Sequence, residues 1–408
     1  MLPSSPSLTL PANKPSVKIA LLLVSTLTIM AGATIAPSLP AMRAHFSAVP
    51  NADYWVRLAL TLPALLIALG APVVGVAIDR LGRKPLLLAA LLLYGIAGSA
   101  GFWLESLQAI LVSRAFLGLS VASIMTITVT LAADYYKGPA LAQFLGLQSG
   151  FMSLGGVVFL TFGGFLAELD WRYPFLIYLL ALVWLPLAVI SLPEPERSLS
   201  SDRASPALPQ TTGEIPAAKP EKFLLSLVVM TYGMALISQI IFYLIPTQLP
   251  FYLQQTANAG AFQSGLAIAL MTLFSAVSSL NYRRIKHHLG FITIYGIAFA
   301  NLALGYALIS WSVSYEMVLM GLAIAGMGLG LLMPNMNLCL TTITPNVLRG
   351  RVLSGITTFF FIGQFLSPLL SQPLSAAIGL GAIYGLAAAL LTGLTICVAV
   401  VRWQWRSG

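Results

Sequence analysis

The sequence predicts an all-α membrane protein with twelve transmembrane helices in two pseudo-symmetric six-helix bundles. Three observations lead there: an apolar composition, a dozen long apolar runs, and a repeat at an offset of 212 residues. Of the 408 residues, 58% are hydrophobic and 8% charged, whereas a soluble domain carries about 25% charged residues. A water-exposed surface cannot be made from this composition, so lipid is the solvent for most of the chain. One crossing of the hydrocarbon core takes about 20 apolar residues. The runs present are too many for a soluble core or a single anchor.

Breaks at proline, glycine and charged clusters place six spans at 18–39, 54–76, 85–103, 108–132, 140–166 and 174–192. Six more follow at 223–247, 262–281, 290–310, 316–340, 350–373 and 378–401. The first run, from Ile19 to about Pro40, follows Lys14 and Lys18 as a signal peptide would. It outruns the apolar region of about 7–15 residues in such a signal, and similar spans come after it, so it reads as a retained helix. Between the sixes, Pro193 to Lys222 is rich in Pro, Ser and Ala with mixed charge and no apolar period, which is linker composition. The expected organisation is a tail at 1–17, a bundle at 18–192, a linker at 193–222, a second bundle at 223–401 and a tail at 402–408.

The offset of 212 carries Gly118 onto Gly330, Asp134 onto Asn346, Lys137 onto Arg349 and Gly138 onto Gly350. Membrane proteins built from internal repeats show this kind of weak self-similarity. Charge sets the orientation. The net charge of +9 is better explained by where the cations fall than by a nucleic-acid partner. Seventeen of the 21 Lys and Arg residues fall on the side of the linker and termini, three (Arg43, Arg57 and Arg172) on the other, and Arg114 within a span. The positive-inside rule then puts both termini and the linker in the cytoplasm, with the bacterial inner membrane as the expected location. Cys339 and Cys397 both lie in apolar runs, so they predict neither a disulfide framework nor a metal site. No cofactor is expected.

The sharpest local feature lies between the second and third spans, at Gly75-Val-Ala-Ile-Asp79-Arg80-Leu-Gly82-Arg83-Lys84. Gly82 gives the short loop a permissive backbone, Gly75 allows close helix approach, and Asp79 can accept from a helix N-terminus or from Arg83. A plain topogenic loop explains the cations but not the acid and the placed glycines. This stretch resembles the signature cytoplasmic loop of the major facilitator superfamily, Gly-x-x-x-Asp-Arg-x-Gly-Arg-Lys, at every fixed position. Span count, linker position and duplication extend the resemblance over the whole chain. The resemblance implies a conformational latch made by Gly75, Asp79, Arg80, Gly82, Arg83 and Asp134, closing on the start of the eleventh span near Gly350. The matching loop of the second half, Arg283-Arg284-Ile285-Lys286-His287-His288-Leu289-Gly290, keeps its cations and lacks the acid.

Arg114 begins Arg114-Ala-Phe-Leu-Gly118, about six residues or some 9 Å into the fourth span. An intramembrane cation usually faces a bundle interior or cavity and marks function; the competing reading is snorkelling to the interface. The segment Leu111 to Gly118 is similar to a helix-4 motif of the superfamily's twelve-helix drug/proton antiporter branch, where this arginine is implicated in proton release. That resemblance implies proton coupling at Arg114. In the fifth span Gly146, Gly155, Gly163 and Gly164 match the exporter pattern, but Phe159-Leu160 stands where that pattern has Gly-Pro, so the proline-dependent bend is lost. All 12 acidic residues lie in loops, in the linker or at span ends, although proton relays usually place a carboxylate or His in the path. Either coupling uses Arg114 with a span-end acid such as Asp53 or Glu105, or the protein is a facilitator.

Spans 1, 4, 7 and 10 line the central cavity in that superfamily. Ser123 and Thr126 stand on the fourth span; Tyr232, Gln239 and Tyr243 share one face of the seventh; Asn335 and Asn337 follow Pro334 on the tenth; and Phe360 and Gln364 lie on the eleventh. Amides and phenols beside aromatic bodies suit an amphipathic or aromatic small molecule, and interhelical hydrogen bonding is the competing use. No clustered catalytic set exists for a membrane enzyme. The expectation is a monomeric secondary transporter exporting small hydrophobic or amphipathic compounds in exchange for protons, with the proton gradient as driving force. The alternative is a facilitator or importer of a neutral metabolite.

Overall fold

The structure is a computed structural model that describes residues 14–194 and 221–407, apart from the side chains of Asp79, Asn346, Val347 and residues 221–224 and 405–407. Nearly all of the expected N-terminal tail and linker therefore lies outside the described residues. Regular structure among the described residues is helical throughout, and twelve helices are long and apolar enough to cross a membrane. They are α1 (Pro15–His45), α2 (Ala52–Ile78), α3 (Arg83–Phe102), α4 (Leu107–Tyr135), α5 (Gly138–Leu169), α6 (Tyr173–Ser191), α7 (Leu225–Ala257), α8 (Ala261–His288), α9 (Phe291–Ser310), α10 (Tyr315–Ile343), α11 (Leu348–Ile378) and α12 (Leu380–Gln404). This is the all-helical, twelve-span architecture that the sequence predicts.

Several helices outrun their expected ends, and proline is the reason. In α1 the chain passes Ala33 into a 3-10 turn at Ala36–Ser38 and a short helix at Leu39–His45, with a proline at the first or second position of each. A missing N–H is harmless there, because the first turn has no intrahelical acceptor for it. In α7 the helix pauses at Tyr243 and resumes as Leu244–Ala257, with Pro246 in its first turn. Pro63 and Pro72 in α2, Pro334 in α10, and Pro368 and Pro373 in α11 sit inside continuous helices.

The duplication is visible in contacts as well as in sequence. A Cβ added to Gly118 would lie 2.5 Å from the carbonyl oxygen of Pro63 on α2, and one on Gly330 would collide with the carbonyl of Ser275 on α8. Both glycines and both carbonyls are related by the same offset of 212 residues. Tyr94 on α3 donates to Leu27 O on α1 at 2.8 Å, and Tyr306 on α9, again 212 residues on, donates to Ile241 O on α7 at 2.8 Å. Tyr178 reaches Ala31 O at 3.5 Å, as Tyr384 reaches Leu244 O at 3.3 Å. In each half, then, two phenols from flanking helices tie down the backbone of α1 or α7, the segments where prolines interrupt regular helix.

Between the halves, α2 packs on α11 and α5 on α8. Glycine sets the closeness of the second pair. A Cβ on Gly164 would lie 3.1 Å from the Cα of Gly265, and one on Gly265 would lie 2.6 Å from Leu160 O. The expected exporter glycines of α5 thus divide: Gly155 and Gly163 pack on Thr26 and Thr34 of α1, Gly164 packs on α8, and Gly146 faces open space.

The paired close approaches are testable by adding volume. Gly118→Val and Gly330→Val should each lower stability by about 1–3 kcal/mol through overpacking, while Gly146→Val should stay within about 0.5 kcal/mol. Thermal unfolding of the purified variants in detergent separates them; equal transitions for all three would remove the steric account.

Candidate functional site: the outer seal and the passage beneath it

At the end of the bundles away from the linker, the two halves are joined by charge reaching across the interface. Arg57, one turn into α2, has a side chain only 4% exposed. Its Nε donates to Gln248 Oε1 on α7 at 3.0 Å, and its Nη1 donates to Asp53 O at 2.8 Å. The Asp53 carboxylate lies 3.3 Å away, and the guanidinium sits 4.0 Å from the centre of the Phe251 ring. Gln248 is itself fully buried and passes the contact on, its Nε2 donating to Ser371 Oγ on α11 at 3.0 Å. Asp53 also pairs with Arg43 at 3.2 Å and, with Gln372, lines a polar recess of about 350 Å³ on the outer face. A second tie runs from Glu168 at the end of α5 to α8, where its Oε2 accepts from Phe262 N at 2.9 Å. This is a carboxylate on the N-terminus of a helix in the opposite half, where the helix dipole favours it.

The seal reaches down to two contacts. Gly32 on α1 abuts the Tyr243 hydroxyl, with an added Cβ 3.1 Å from it. Gly156 on α5 faces Thr272 on α8, with its added Cβ 3.3 Å away. These inter-half contacts all lie in the outer half of the molecule. On the linker side, Gly75 of α2 and Gly146 and Gly150 of α5 meet nothing within 4 Å of an added Cβ. Positions on the linker side are thus open where the outer side is closely packed, and the space below Gly32, Tyr243, Gly156 and Thr272 is the candidate passage.

The residues expected to bind substrate fall into two groups around this passage. Near the roof, Gln364 Nε2 on α11 donates to Gln239 Oε1 on α7 at 3.2 Å, and Tyr243 stands one turn further out on α7. Among the described residues the Tyr243 hydroxyl takes no hydrogen-bond partner. Tyr232, lower on α7, donates to Val352 O at 2.7 Å and packs against Phe359 with tilted rings 5.0 Å apart, one position before Phe360. Ser123 and Thr126 are satisfied by Leu119 O and Ala122 O of their own helix. Asn337 is partly exposed. Asn335 is elsewhere: fully buried inside the second bundle, it accepts from Tyr282 at 3.0 Å and donates to Phe291 O at 3.2 Å.

The expected latch residues lie together at the linker side. Gly82 has φ of 92° and ends α2 while starting α3, a backbone conformation that favours glycine. The next two N–H groups, of Arg83 and Lys84, donate to the Glu194 carboxylate at 2.8 and 2.6 Å. Arg83 Nε lies 3.3 Å from Asp134 Oδ2. Arg80 is exposed and the Asp79 side chain lies outside the described residues. Glu194, an acid with no assigned role in the sequence, caps the loop whose own acid drew attention.

Arg114 is fully buried within the first bundle. Its Nη2 donates to Ala97 O at 3.3 Å and to Gly98 O, and its guanidinium lies 4.8 Å from the Phe175 ring and 4.9 Å from the Tyr178 ring. It links α3, α4 and α6 and does not snorkel. Its counterpart at an offset of 212 is Gly326, but the counterpart of the Ala97 carbonyl is Ile309 O, which accepts from Tyr252 at 2.8 Å. An arginine in one half and a tyrosine in the other therefore cap equivalent carbonyls.

Arg57, Gln248, Gln372 and Glu168 were not picked out by sequence. The available signal was the Asp53/Arg57 spacing of four at the start of a span, which puts the two on one helix face. Arg57→Ala removes hydrogen bonds from a charged donor, worth about 1.5–3 kcal/mol, and should raise the population of outer-open molecules by about tenfold or more. In a background lacking Cys339 and Cys397, a cysteine at Ser371 should then react faster with a membrane-impermeant maleimide added from the outer side. An unchanged rate would mean that Arg57 does not hold the seal.

Comparison with known proteins agrees with this architecture. The sequence profile of the Major Facilitator Superfamily matches residues 21–368 and again 249–407. Multidrug resistance protein 1 of Bacillus subtilis is 31% identical over 129 residues, which is 31% of this chain and 33% of that protein, so the match spans about a third of its length. The bacillibactin exporter of Bacillus subtilis is 25% identical over 367 residues, 86% of this chain and 87% of that one. A crystal structure of a D-xylose-proton symporter superposes with a TM-score of 0.72 at 15% identity, over 92% of this chain and 96% of the symporter. The chain belongs to the Major Facilitator Superfamily, and it is a multi-pass membrane transporter rather than an enzyme.

Proposed function

We propose that the protein exports small hydrophobic or amphipathic compounds by alternating access, in exchange for protons. The observation that carries the export reading is the asymmetry of the inter-half contacts: Arg57 and Glu168 seal the outer end while positions toward the linker are open. With 17 cations on the linker side, that side is the cytoplasm of a bacterial plasma membrane, and the passage is in its loading state. The names of the relatives, a multidrug resistance protein and an exporter, support the same direction.

In this reading substrate enters from the cytoplasm. It meets the Tyr232–Phe359 wall with neighbouring Phe360, and rises to Gln239, Gln364 and Tyr243 beneath the roof, with Ser123 and Thr126 on the opposite bundle. Rocking of the halves about that site breaks the Arg57–Gln248 and Glu168–Phe262 ties. Gly75, Asp79, Arg80, Gly82, Arg83 and Asp134 then close on the start of α11. The protein works as a monomer in lipid.

Proton exchange is assigned to Arg114 by its motif. A second reading, a facilitator of a neutral solute, is favoured by one observation: no acidic residue of the chain lies mid-span. Everted vesicles separate the two. Addition of exported compounds from a broad panel should collapse a preformed pH gradient, and neutral-solute counterflow without any such collapse would leave the facilitator. Asp79→Asn should impair transport with membrane insertion intact, whereas normal transport by that variant would remove the latch role.

Arg114 has its own test. Arg114→Gln should preserve substrate counterflow while losing its acceleration by an imposed pH gradient. A variant that keeps the pH response but melts at lower temperature would make the arginine a cap of α3 and nothing more.

A further inference from the structure

We infer that Gln248 is the positioning residue that keeps the outer seal breakable, tying the halves through a neutral amide so that no ion pair is separated when the seal opens. The inference rests on the alternating-access part of the proposed function, and not on export or proton exchange. The case starts from which half owns each charge. Arg43, Asp53 and Arg57 all belong to the first bundle. Asp53 Oδ1 lies 3.2 Å from Arg43 Nε and 3.3 Å from Arg57 Nη1, which also donates to Asp53 O at 2.8 Å. Asp53 and Arg57 stand four apart on one helix face, so they move together. What the second bundle offers Arg57 is uncharged: Gln248 Oε1 at 3.0 Å and the face of the Phe251 ring. Among the described residues, neither ion pair at this end joins the two halves.

Gln248 engages at both ends of its amide. While Oε1 accepts from Arg57 on α2, Nε2 donates to Ser371 Oγ on α11 at 3.0 Å, so three helices from two halves meet on one fully buried side chain. Hydrogen bonding alone does not call for an amide there. A carboxylate of the same length would accept from Arg57 Nε, and the Ser371 hydroxyl and the Gln372 amide, both beside Gln248 Nε2, could turn to donate to it. Two cations and one anion make up the Arg43, Asp53 and Arg57 cluster, so a further carboxylate would be attracted. The difference appears on opening. Full opposite charges attract far more strongly in a low-dielectric seal than a cation and an amide do, and parting them leaves each unpaired. With glutamine at 248, Arg57 leaves with Asp53 and the second bundle keeps only neutral groups.

The test reads the seal itself, in the full chain without Cys339 and Cys397. Ser38→Cys puts a thiol in the 3-10 turn of α1, buried where that turn meets α7 and α8, at a hydroxyl with no hydrogen-bond partner among the described residues. Its rate of reaction with a membrane-impermeant maleimide, added outside right-side-out vesicles, follows the outer-open population. Gln248→Glu should slow labelling by about tenfold or more, whereas Gln248→Met, which removes the tie and adds no charge, should speed it. Asp53→Asn should also speed labelling, because the buried guanidinium loses its anion. Adding Gln248→Glu to Asp53→Asn should slow it again, since the anion then stands in the opposite half. A side chain that merely packs the seal would give faster labelling in both Gln248 variants. Labelling of Gln248→Glu at or above the wild-type rate overturns the inference, as does a double variant labelled as fast as Asp53→Asn alone. A Gln248→Glu chain that fails to fold overturns it too, since Arg57 was to receive the charge. Equal rates in wild type and every variant remove both this inference and opening at the outer end. Failure of the export or proton-exchange assays leaves these rates, and the inference, standing.

Discussion

The cost of an unpaired charge in a lipid-solvated bundle governs this molecule. Unsatisfied polar groups in hydrocarbon cost several kcal/mol each; Arg57 meets that cost with hydrogen bonds, whereas Arg114 bonds through Nη2 and meets aromatic rings while its Nε and Nη1 have no hydrogen-bond partner among the described residues. Arg57 uses its partners to join the two halves, with Gln248 and Phe251 on α7 and the Asp53 backbone on its own helix. Arg114 uses its partners to hold one half together, with the carbonyls of Ala97 and Gly98 and the rings of Phe175 and Tyr178. One arginine belongs to a contact across the two halves, which the proposed rocking would break, and the other to the packing within a single bundle. Burial is the same for both; what differs is whether the partners lie across the rocking interface.

Duplication explains the frame, and departures from it locate specialisation. Gly118 on Pro63 and Gly330 on Ser275 repeat one close approach, and Tyr94 and Tyr306 repeat one hydrogen bond. Where the halves differ, chemistry differs. The carbonyl of α3 capped by Arg114 has a counterpart on α9 capped by the neutral Tyr252, so a charge has been placed in the first bundle at a position that a hydroxyl serves in the second. The loop after α2 keeps an acid and a glycine with φ of 92°, while the loop after α8 keeps only cations. The first half thus carries the acid-containing loop and the fully buried Arg114. The second half contributes amides and phenols at the roof.

Much of this was legible in the sequence because lipid imposes a simple code. Twelve spans follow from apolar runs of sufficient length, and the loop at Gly75 to Lys84 follows from a fixed motif. Span ends were less legible, since the expected spans 18–39 and 223–247 end beside Pro40 and Pro246, yet helices resume there at Leu39 and Leu244. The roof was partly legible: Gln239, Gln364 and Tyr243 stand out as polar residues at helical spacing. Asn335 carries the same signal, but its amide is consumed by Tyr282 and Phe291, and spacing on one helix cannot tell which neighbour takes up a side chain. Arg57 with Gln248 was hidden for the same reason, being a pair separated by 191 residues with no local pattern to announce it.

The absence of a mid-span carboxylate bears on what a cation exporter would require. Moving one elementary charge across a membrane potential is worth about 2.3 kcal/mol per 100 mV. A monoanion leaving an inside-negative cell gains that energy, whereas a monocation leaving must be driven against it. A cation exporter therefore needs both a counter-charge in its passage and strong coupling to protons, and a carboxylate in the path supplies both.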